Sequence, residues 1–206
     1  MGADLSPKIR FSNEEIIEAA FALVDEGGWE KMTAKNIAKK LNCSVQPLYR
    51  EYKSLNEIKD EVVKRIIAIS NEYTSVKHSE IVLISMTLAG VHFAIDHPNL
   101  IQASYDLEGS KYPEFTKTHE ETFEAIRKDP HLKEFTEIEA FYLYLHVLVY
   151  SHGLSDFIYR GYLVSYPREK LVEIAQEAVE AILEKAKRKK ANEVEEKVDA
   201  DVNGNA

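Results

Sequence analysis

Apolar residues recur every three or four positions along most of the chain, which is the spacing of one buried face of an α-helix. Near the start, Ser12 and Glu15 form a capping box, in which each side chain can bond a free backbone N–H of the other residue. Gly27 and Gly28 follow the apolar run and are typical of a helix end. The pattern therefore predicts a first helix that begins after Ser12 and ends at Gly27.

Two short helices joined by a tight turn are predicted next. Thr33 is a suitable N-cap for the second helix, and Ser44 is a suitable N-cap for a third helix over residues 45–51. Leu48 is predicted to point inward from the third helix. Three helices with a tight turn between the last two are typical of a helix-turn-helix.

The remainder of the chain also has helical spacing. Ser54 and Glu57 form a second capping box, which begins a longer helix. No β-hairpin signal and no internal repeat is found in the sequence. Further helices are predicted over residues 80–96, 98–107, 111–128, 135–162 and 167–191. The fold class is therefore predicted to be all-α.

These elements divide the chain into two domains and a tail. Residues 8–53 are predicted to form the helix-turn-helix domain, and residues 54–191 a larger helical domain. Residues 192–206 have few large apolar side chains, so we expect a polar, disordered tail there.

Composition and charge restrict the class of protein. The chain has 206 residues, of which 45% are hydrophobic, and a net charge of -9. Residues 31–53 nevertheless carry six basic residues and a single acid, Glu51, and a basic stripe on one domain indicates a nucleic-acid partner. Cys43 is the only cysteine, so no internal disulfide can form. No signal peptide or membrane-spanning segment is predicted, so we expect a cytoplasmic protein with no membrane partner.

The third predicted helix carries side chains that suit DNA. A helix of this size can enter the major groove, where short side chains near its N-terminus reach base edges. Its predicted exposed face consists of Val45, Gln46, Pro47 and Arg50. Hydroxyls and an ammonium beside this helix suit phosphate oxygens. They belong to Thr33, Ser44, Tyr49 and Lys53. On spacing alone, a packed helical subdomain with a basic edge remains an open alternative.

Four motifs in the first 58 residues stand in one register. Residues 33–54 read TAKNIAKKLNCSVQPLYREYKS, and they are flanked by Ile16–Phe21, Gly27-Gly28-Trp29 and Leu55–Ile58. This arrangement resembles the DNA-binding domain of the tetracycline-repressor (TetR) family of bacterial regulators. The resemblance implies an all-helical homodimer on double-stranded DNA. Each N-terminal domain would place its third helix in one half of a palindromic operator, and a C-terminal domain would dimerise and bind a small-molecule inducer.

The same resemblance assigns roles to individual residues. Phosphate contacts are implied for Thr33, Ser44, Tyr49 and Lys53, and base contacts for Val45, Gln46 and Pro47. Glu51 stands where family members often carry histidine or a neutral residue, and it would repel phosphate if it faced the groove. Leu55 stands where many members carry a basic residue. Both departures predict a lower DNA affinity and an unchanged docking mode.

The C-terminal region resembles the family more weakly. His152-Gly153-Leu154 is similar to a His-Gly-Leu signature near the end of the eighth helix in one TetR subgroup. The resemblance implies a dimer interface formed by the helices at 135–162 and 167–191, packed as a four-helix bundle. Aromatic residues with polar tips are a usual lining of small-molecule sites. The candidates are Tyr105, Phe123, Tyr142, Tyr144, His146 and Tyr150. At helical spacing, most such aromatics are ordinary core residues.

Metal and catalytic sites have less support. His92 and Asp96 share a helix face, but a transition-metal site requires three or four convergent ligands. No phosphate-binding loop, nucleophile elbow or paired-carboxylate motif is found in the sequence. We therefore expect no metal, no cofactor and no enzyme activity. The primary interpretation is a repressor released from DNA by a small molecule. Two rivals stay open: a protein–protein adaptor of the same fold that has lost operator binding, and a helical-bundle enzyme.

Overall fold

The computed structural model describes residues 11–105 and 113–203, and this part of the chain consists of α-helices and two 3-10 turns, without strands. The predicted all-α class is confirmed. The helices are α1 (Asn13–Gly27), α2 (Ala34–Lys40), α3 (Gln46–Glu51), α4 (Leu55–Ser75), α5 (Val82–Asp96), α6 (Pro98–Tyr105), α7 (Pro113–Arg127), α8 (Glu137–Tyr159) and α9 (Arg168–Asn203). The 3-10 turns cover Trp29–Lys31 and Pro130–Leu132. Parts of the predicted segments lie outside the described residues, namely 8–10, 106–107, 111–112 and 204–206.

Both predicted ends of α1 are confirmed. The backbone N of Glu15 donates to Ser12 Oγ at 3.2 Å, and the backbone N of Ser12 donates to Glu15 Oε2 at 2.7 Å. At the other end, Gly28 has φ +74°, a left-handed conformation that glycine adopts at no steric cost. Its N–H donates to the carbonyl of Val24 at 2.7 Å and closes the helix.

The first apolar core joins the N-terminal helices to the rest of the protein. Ile16, Ile37 and Leu48, one from each of α1, α2 and α3, are fully buried in it. Phe93 of α5 and Leu100 of α6 belong to the same cluster. Burying an aliphatic side chain of this size stabilises a fold by about 1.5–3 kcal/mol. The helix-turn-helix is therefore packed on α5 and α6 as well as joined to α4.

The second core is built around α5. This helix is apolar on all sides, so it must be covered on all sides. It contacts both α8 and α9, and α7 lies against α8. The buried residues that α5 contributes to this core are Leu83, Ile84, Leu88 and Val91, and those of α8 and α9 include Leu143, Val147, Leu154, Ala175, Val179 and Leu183.

The predicted end of the last helix is wrong. α9 continues through residues 192–203, where the sequence predicted a disordered tail. Three of its twelve residues are glutamates, which are good helix formers, and it contains neither glycine nor proline. Lys189 Nζ lies 3.7 Å from Glu193 Oε1, an i,i+4 pair that supports the same helix. The scarcity of large apolar residues in this segment therefore marks a solvated helix.

Two helix starts also differ from the prediction. The N-cap of α3 is Val45, which makes no side-chain capping bond, so Ser44 is not the cap. Helix α8 begins two residues later than expected, after a capping box formed by Thr136 and Glu139. The Thr-x-x-Glu spacing of that box is visible in the sequence, but the apolar pattern begins one residue before it, at Phe135, and so predicts an earlier start. Within the described ranges, no helix has both the length and the apolar character needed to span a bilayer.

Candidate nucleic-acid interface

The turn between α2 and α3 fixes the direction of the third helix. The N–H of Leu41 donates to the carbonyl of Ile37 at 3.0 Å, and the N–H of Cys43 donates to the carbonyl of Ala38 at 2.9 Å. Between them, Asn42 has φ +52°, a left-handed conformation that asparagine tolerates better than most residues. These bonds end α2 within one turn and allow α3 to start at Gln46.

A single buried side chain anchors α3 to the core. Leu48 is fully buried, as predicted, and the N–H of Tyr52 donates to its carbonyl at 2.9 Å. On the opposite side, Val45 is 42% exposed and Tyr49 is 52% exposed. Gln46 and Arg50 are also exposed, and Pro47 is half-buried. The helix therefore presents a mixed apolar and polar face to solvent at its N-terminal end.

The four residues predicted to meet phosphate are all exposed around this helix. These residues are Thr33, Ser44, Tyr49 and Lys53. Thr33 is the N-cap of α2, and its Oγ1 accepts from the backbone N of Asn36 at 3.2 Å. Its hydroxyl proton is not used in that bond, so it can be donated to a phosphate oxygen. The N–H of Lys53 donates to Glu57 Oε2 at 2.8 Å, which fixes the backbone at the start of α4.

The basic residues of this surface are not all available to a partner. Arg50 Nε lies 3.0 Å from Glu51 Oε1. Lys40 Nζ lies 2.6 Å from Glu26 Oε1 of α1. By contrast, four lysines of residues 31–53 form no ion pair with any described residue: Lys31, Lys35, Lys39 and Lys53. Both paired cations are partly exposed, so their pairs contribute little to stability. Their effect is to reduce the positive potential next to α3.

The two departures from the TetR pattern have different structural settings. Glu51 is exposed at the end of α3 and pairs with its neighbour Arg50. Leu55 is half-buried and packs against the first apolar core at the start of α4. A basic residue at that position would lose this packing. The absence of a positive charge there is thus explained by the fold, whereas nothing in the structure requires a glutamate at position 51.

Polar contacts tie the helix-turn-helix to α5 and α6. The indole Nε1 of Trp29 donates to the carbonyl of Ala103 at 3.0 Å, and Asn99 Nδ2 donates to the carbonyl of Asp25 at 2.7 Å. His97 Nδ1 lies 3.1 Å from Asp25 Oδ1. All three contacts join α1 or the turn after it to residues near α6. Movement of α6 would therefore displace the N-terminal helices.

A polar cluster continues from this junction to α9. Tyr73 donates its hydroxyl to Asp96 Oδ2 at 3.0 Å, and Arg168 of α9 pairs with the other oxygen of Asp96. Burial and the hydrogen bond to Asp96 raise the pKa of Tyr73 to about 12. Burial alone would raise the pKa of Asp96, but bonds from Arg168 and Tyr73 hold it below its usual value. Arg168 Nη1 also lies 3.0 Å from His92 Nδ1, and burial, His78 and Arg168 lower the pKa of His92.

The aromatic residues predicted to line a ligand pocket do not converge. Tyr105 lines a cavity of about 160 Å³ between α4, α5, α6 and α8. Tyr142 and His146 line a separate groove of about 610 Å³ between α8 and α9. Phe123 packs edge-to-face on Phe141, with ring centroids 5.8 Å apart.

Two further tyrosines have roles within the fold. Tyr150 donates its hydroxyl to the carbonyl of Ile174 at 3.2 Å, which joins α8 to α9. Tyr144 is buried, and its hydroxyl lies 2.6 Å from His119 Nδ1 of α7. No cluster of three or more potential metal ligands occurs in the described part of the chain. The sequence did not predict the other residues of the 160 Å³ cavity, which are apolar side chains such as Met86 and small polar ones. Ser151 and Ser155, four positions apart on an apolar helix, are the signal that the sequence offers.

A stripe of large apolar residues on α8 is left exposed by the described part of the chain. The exposed members are Ile138, Phe141, Tyr142, Leu145, Val149 and Phe157. Their spacing of three or four residues places them along one side of the helix. Val149, near the middle, is 66% exposed. We call this surface the α8 stripe.

No family profile and no curated protein matches the chain. Among solved structures, a transcriptional regulator from Rhodococcus sp. Rha1 is similar over 84% of this chain and 97% of its own, with 18% sequence identity and a TM-score of 0.59. A TetR variant from Acinetobacter baumannii AYE, in complex with minocycline, is similar over 88% of this chain and 99% of its own, with 14% identity and a TM-score of 0.58. At these identities the similarity establishes the fold. The chain therefore has the TetR-like fold that residues 16–58 predicted.

Proposed function

We propose that the protein is a TetR-like transcriptional repressor, which binds a palindromic operator as a homodimer and is released from it by a small molecule. The exposed N-terminal face of α3, held in place by the fully buried Leu48, is the observation that carries this proposal. Such a helix can lie in the major groove. The regulators with similar folds support the same function.

The contacts with DNA divide into two sets. Gln46 can bond the major-groove edge of adenine in a bidentate manner, and Val45 or Pro47 can touch a thymine methyl group. Thr33, Ser44, Tyr49 and Lys53 surround α3 with donors for phosphate oxygens. Arg50 lies on the same exposed face, beside Glu51. The first set would read sequence, and the second would position the helix.

The α8 stripe supports a dimer of two copies of this chain. Its exposed apolar side chains run over about 20 residues, or about 30 Å of helix. An apolar surface of this length is costly to leave in water. A second copy supplies an equivalent stripe, and the two α8–α9 pairs would form a four-helix bundle. Dimerisation would then place two α3 helices at the spacing of successive major grooves, about 34 Å.

Release by a small molecule requires a ligand site that touches helices bonded to or packed on the DNA-binding helices. The 160 Å³ cavity meets this requirement, because it is walled by Ile66 of α4 and Ser104 of α6. Helix α4 begins in the first core, and α6 is bonded to the N-terminal helices through Trp29 and Asn99. A ligand that prefers another spacing of the two α3 helices would shift the population to a form that does not fit the operator.

The adaptor remains the second candidate, because the Arg50–Glu51 pair weakens the positive potential beside α3. Selection of random DNA duplexes by the purified protein separates the two functions. A repressor enriches a palindrome, and log K for that duplex falls with log salt by about 0.9 per phosphate neutralised. An adaptor enriches no palindrome. A flat salt response for a selected duplex would also contradict the proposal.

Single substitutions test the docking of α3. Tyr49→Ala and Lys53→Ala should weaken binding to all duplexes, and Lys53→Ala should reduce the salt slope by about 1. Gln46→Ala should instead change the preferred base at one position. Unchanged binding and preference in all three variants would show that α3 does not enter the groove in this way.

A further inference from the structure

The cavity between α4, α5, α6 and α8 has a lining that restricts what it can hold. Its volume is about 160 Å³. Apolar side chains such as Met86 and Leu148 line it together with serine hydroxyls. None of the described residues in its wall is a lysine, arginine, aspartate or glutamate. Apart from the imidazole of His152, no ionisable side chain of the described wall could offset the lost hydration of a charged molecule, so an uncharged occupant is favoured.

Gly90 keeps part of this space open. It lies in the interior of α5 and lines the cavity. Glycine destabilises a helix interior relative to alanine, so its presence there needs a reason. Close packing of a neighbouring helix is not the reason, because a Cβ at this position would meet nothing within 4 Å. The missing side chain leaves an opening beside the cavity.

The hydroxyl groups of the cavity differ in their bonding. Ser104 donates to the carbonyl of Ile101 at 2.7 Å, and Ser151 donates to the carbonyl of Val147 at 2.8 Å, each within its own helix. The hydroxyls of Ser70 and Ser155 have no hydrogen bond to a described residue, and Ser155 is the more buried of the two, at 2% exposed. The oxygen of Ser155 is not among the fully enclosed unbonded atoms of the described residues, so it borders open space, and the cavity that Ser155 lines is next to it. Ser155 is therefore the group that a bound molecule would satisfy.

We infer that this cavity binds an uncharged, single-ring hydroxyl compound of the phenol class, with the ring among the apolar side chains and the hydroxyl bonded to Ser155. An apolar cavity of about 150 Å³ is known to hold benzene, so one ring matches the volume. The stacked rings of Tyr105 and His152, whose centroids are 4.2 Å apart, form part of the wall. The inference rests on the proposed function, since it names the ligand class of the proposed release site.

Calorimetric titration of the full-length protein with three probes tests the ligand class. Phenol should bind, benzene should bind about three- to tenfold more weakly because it cannot bond Ser155, and benzoate should bind at least about tenfold more weakly because of its charge. Equal affinities for phenol and benzene would overturn the inference. So would a preference for benzoate, or the absence of phenol binding.

Three variants locate the site. Ser155→Ala should weaken phenol binding about three- to tenfold and leave benzene binding unchanged. Ser151→Ala is the matched control, because its hydroxyl is already bonded to Val147 and its loss should change neither affinity. Gly90→Leu should block both probes, and it has open space for its side chain. If phenol binding survives both Ser155→Ala and Gly90→Leu unchanged, the site lies elsewhere and the inference is wrong.

The same samples separate this inference from the proposed function. Ser155→Ala and Gly90→Leu should select the same DNA palindrome as the unaltered protein when no phenol is present. A selected palindrome without phenol binding would overturn the ligand class and leave the regulator intact. Phenol binding with the expected response of the variants, but no selected palindrome, would support the cavity and overturn the regulator.

Discussion

The helix-turn-helix and the helical body differ in how completely each covers its own apolar residues. Within described residues 11–53, the exposed large apolar side chains are Val45 and Tyr49, both at α3. In the body, the α8 stripe alone exposes six. The charge differs as well: residues 1–65 carry eleven basic and eleven acidic residues, so the rest of the chain carries the whole net charge of -9.

This difference indicates two kinds of partner. The N-terminal region leaves few large apolar residues exposed, and it carries unpaired lysines near the exposed face of α3. Such a surface suits a polyanion. The body leaves a long apolar surface that a polyanion would not cover and a second copy of the chain would. An exposed lysine and an exposed apolar side chain therefore indicate different partners, even where the exposed fractions of the two side chains are equal.

The largest effect should follow from loss of the anchor of α3. Leu48→Ala should lower the free energy of unfolding by about 2–5 kcal/mol, because it leaves a cavity in a fully buried site. Urea unfolding followed by circular dichroism measures this. Val45→Ala, on the exposed side of α3, is the control and should change stability by less than about 0.5 kcal/mol. Similar losses in the two variants would show that α3 has no buried side.

The second prediction concerns the α8 stripe. Val149→Lys should raise the dimer dissociation constant at least about 30-fold, since an unpaired charge in an apolar interface costs several kcal/mol. Sedimentation of the 23.5 kDa chain at several concentrations measures it. Val164→Lys is the matched control, because Val164 is 87% exposed but lies after α8. A dimer unaffected by Val149→Lys, or equally affected by both changes, would contradict the proposed interface.

The sequence predicted the N-terminal region better than the body for physical reasons. Short-range rules decide the Ser12 cap, the Gly28 stop and the burial of Leu48, because each depends on neighbours within a few residues. The ligand candidates depended on which helices meet. Helical spacing placed Tyr105 and Tyr142 on faces of their own helices, but tertiary packing put them in different cavities.

Two residues of the body, Gly90 and Ser155, carry sequence signals of the cavity. Gly90 interrupts an apolar helix without ending it, which indicates a special packing or an open space. Ser155 is a small polar residue on a helix that must bury one side. Neither residue identifies a cavity alone. The cavity is seen only when α5 and α8 are packed together, because Gly90 and Ser155 then line the same space. Low apolar content predicts disorder after residue 191, whereas α9 continues there as a solvated helix.

The third prediction concerns the ion pair that joins α8 to α9 in the body. Lys190 Nζ lies 2.6 Å from Glu139 Oε1 and joins α9 to α8, and this bond and those from Thr136 lower the pKa of Glu139 to about 2. Glu139→Gln keeps a capping residue but removes the charge. Because the carboxylate is about one-third exposed, we expect a loss of only about 0.5–1 kcal/mol at pH 7.

The pH dependence of that loss follows from the lowered pKa. The unfolded carboxyl titrates near 4.5 and the folded one near 2, so the stabilisation is complete above pH 4.5 and disappears as the pH falls towards 2. Urea unfolding of both proteins at pH 7 and at pH 3 measures the change. Glu134→Gln is the control, since Glu134 Oε1 lies 3.7 Å from Lys187 Nζ in a longer, more exposed pair. A difference between Glu139→Gln and the unaltered protein that grows on acidification would contradict this assignment.

The smallest expected effect concerns the charge beside α3 and its influence on operator affinity. Glu51→Gln removes the acid that pairs with Arg50 at 3.0 Å and frees a guanidinium beside α3. If that guanidinium then reaches a phosphate, operator affinity should rise about threefold at moderate salt, and the salt slope should steepen by about 0.9. Glu30→Gln makes the same change of net charge away from α3 and is the matched control. An equal gain in both variants would assign the effect to overall charge, and no gain from Glu51→Gln would show that Arg50 does not face the phosphate backbone.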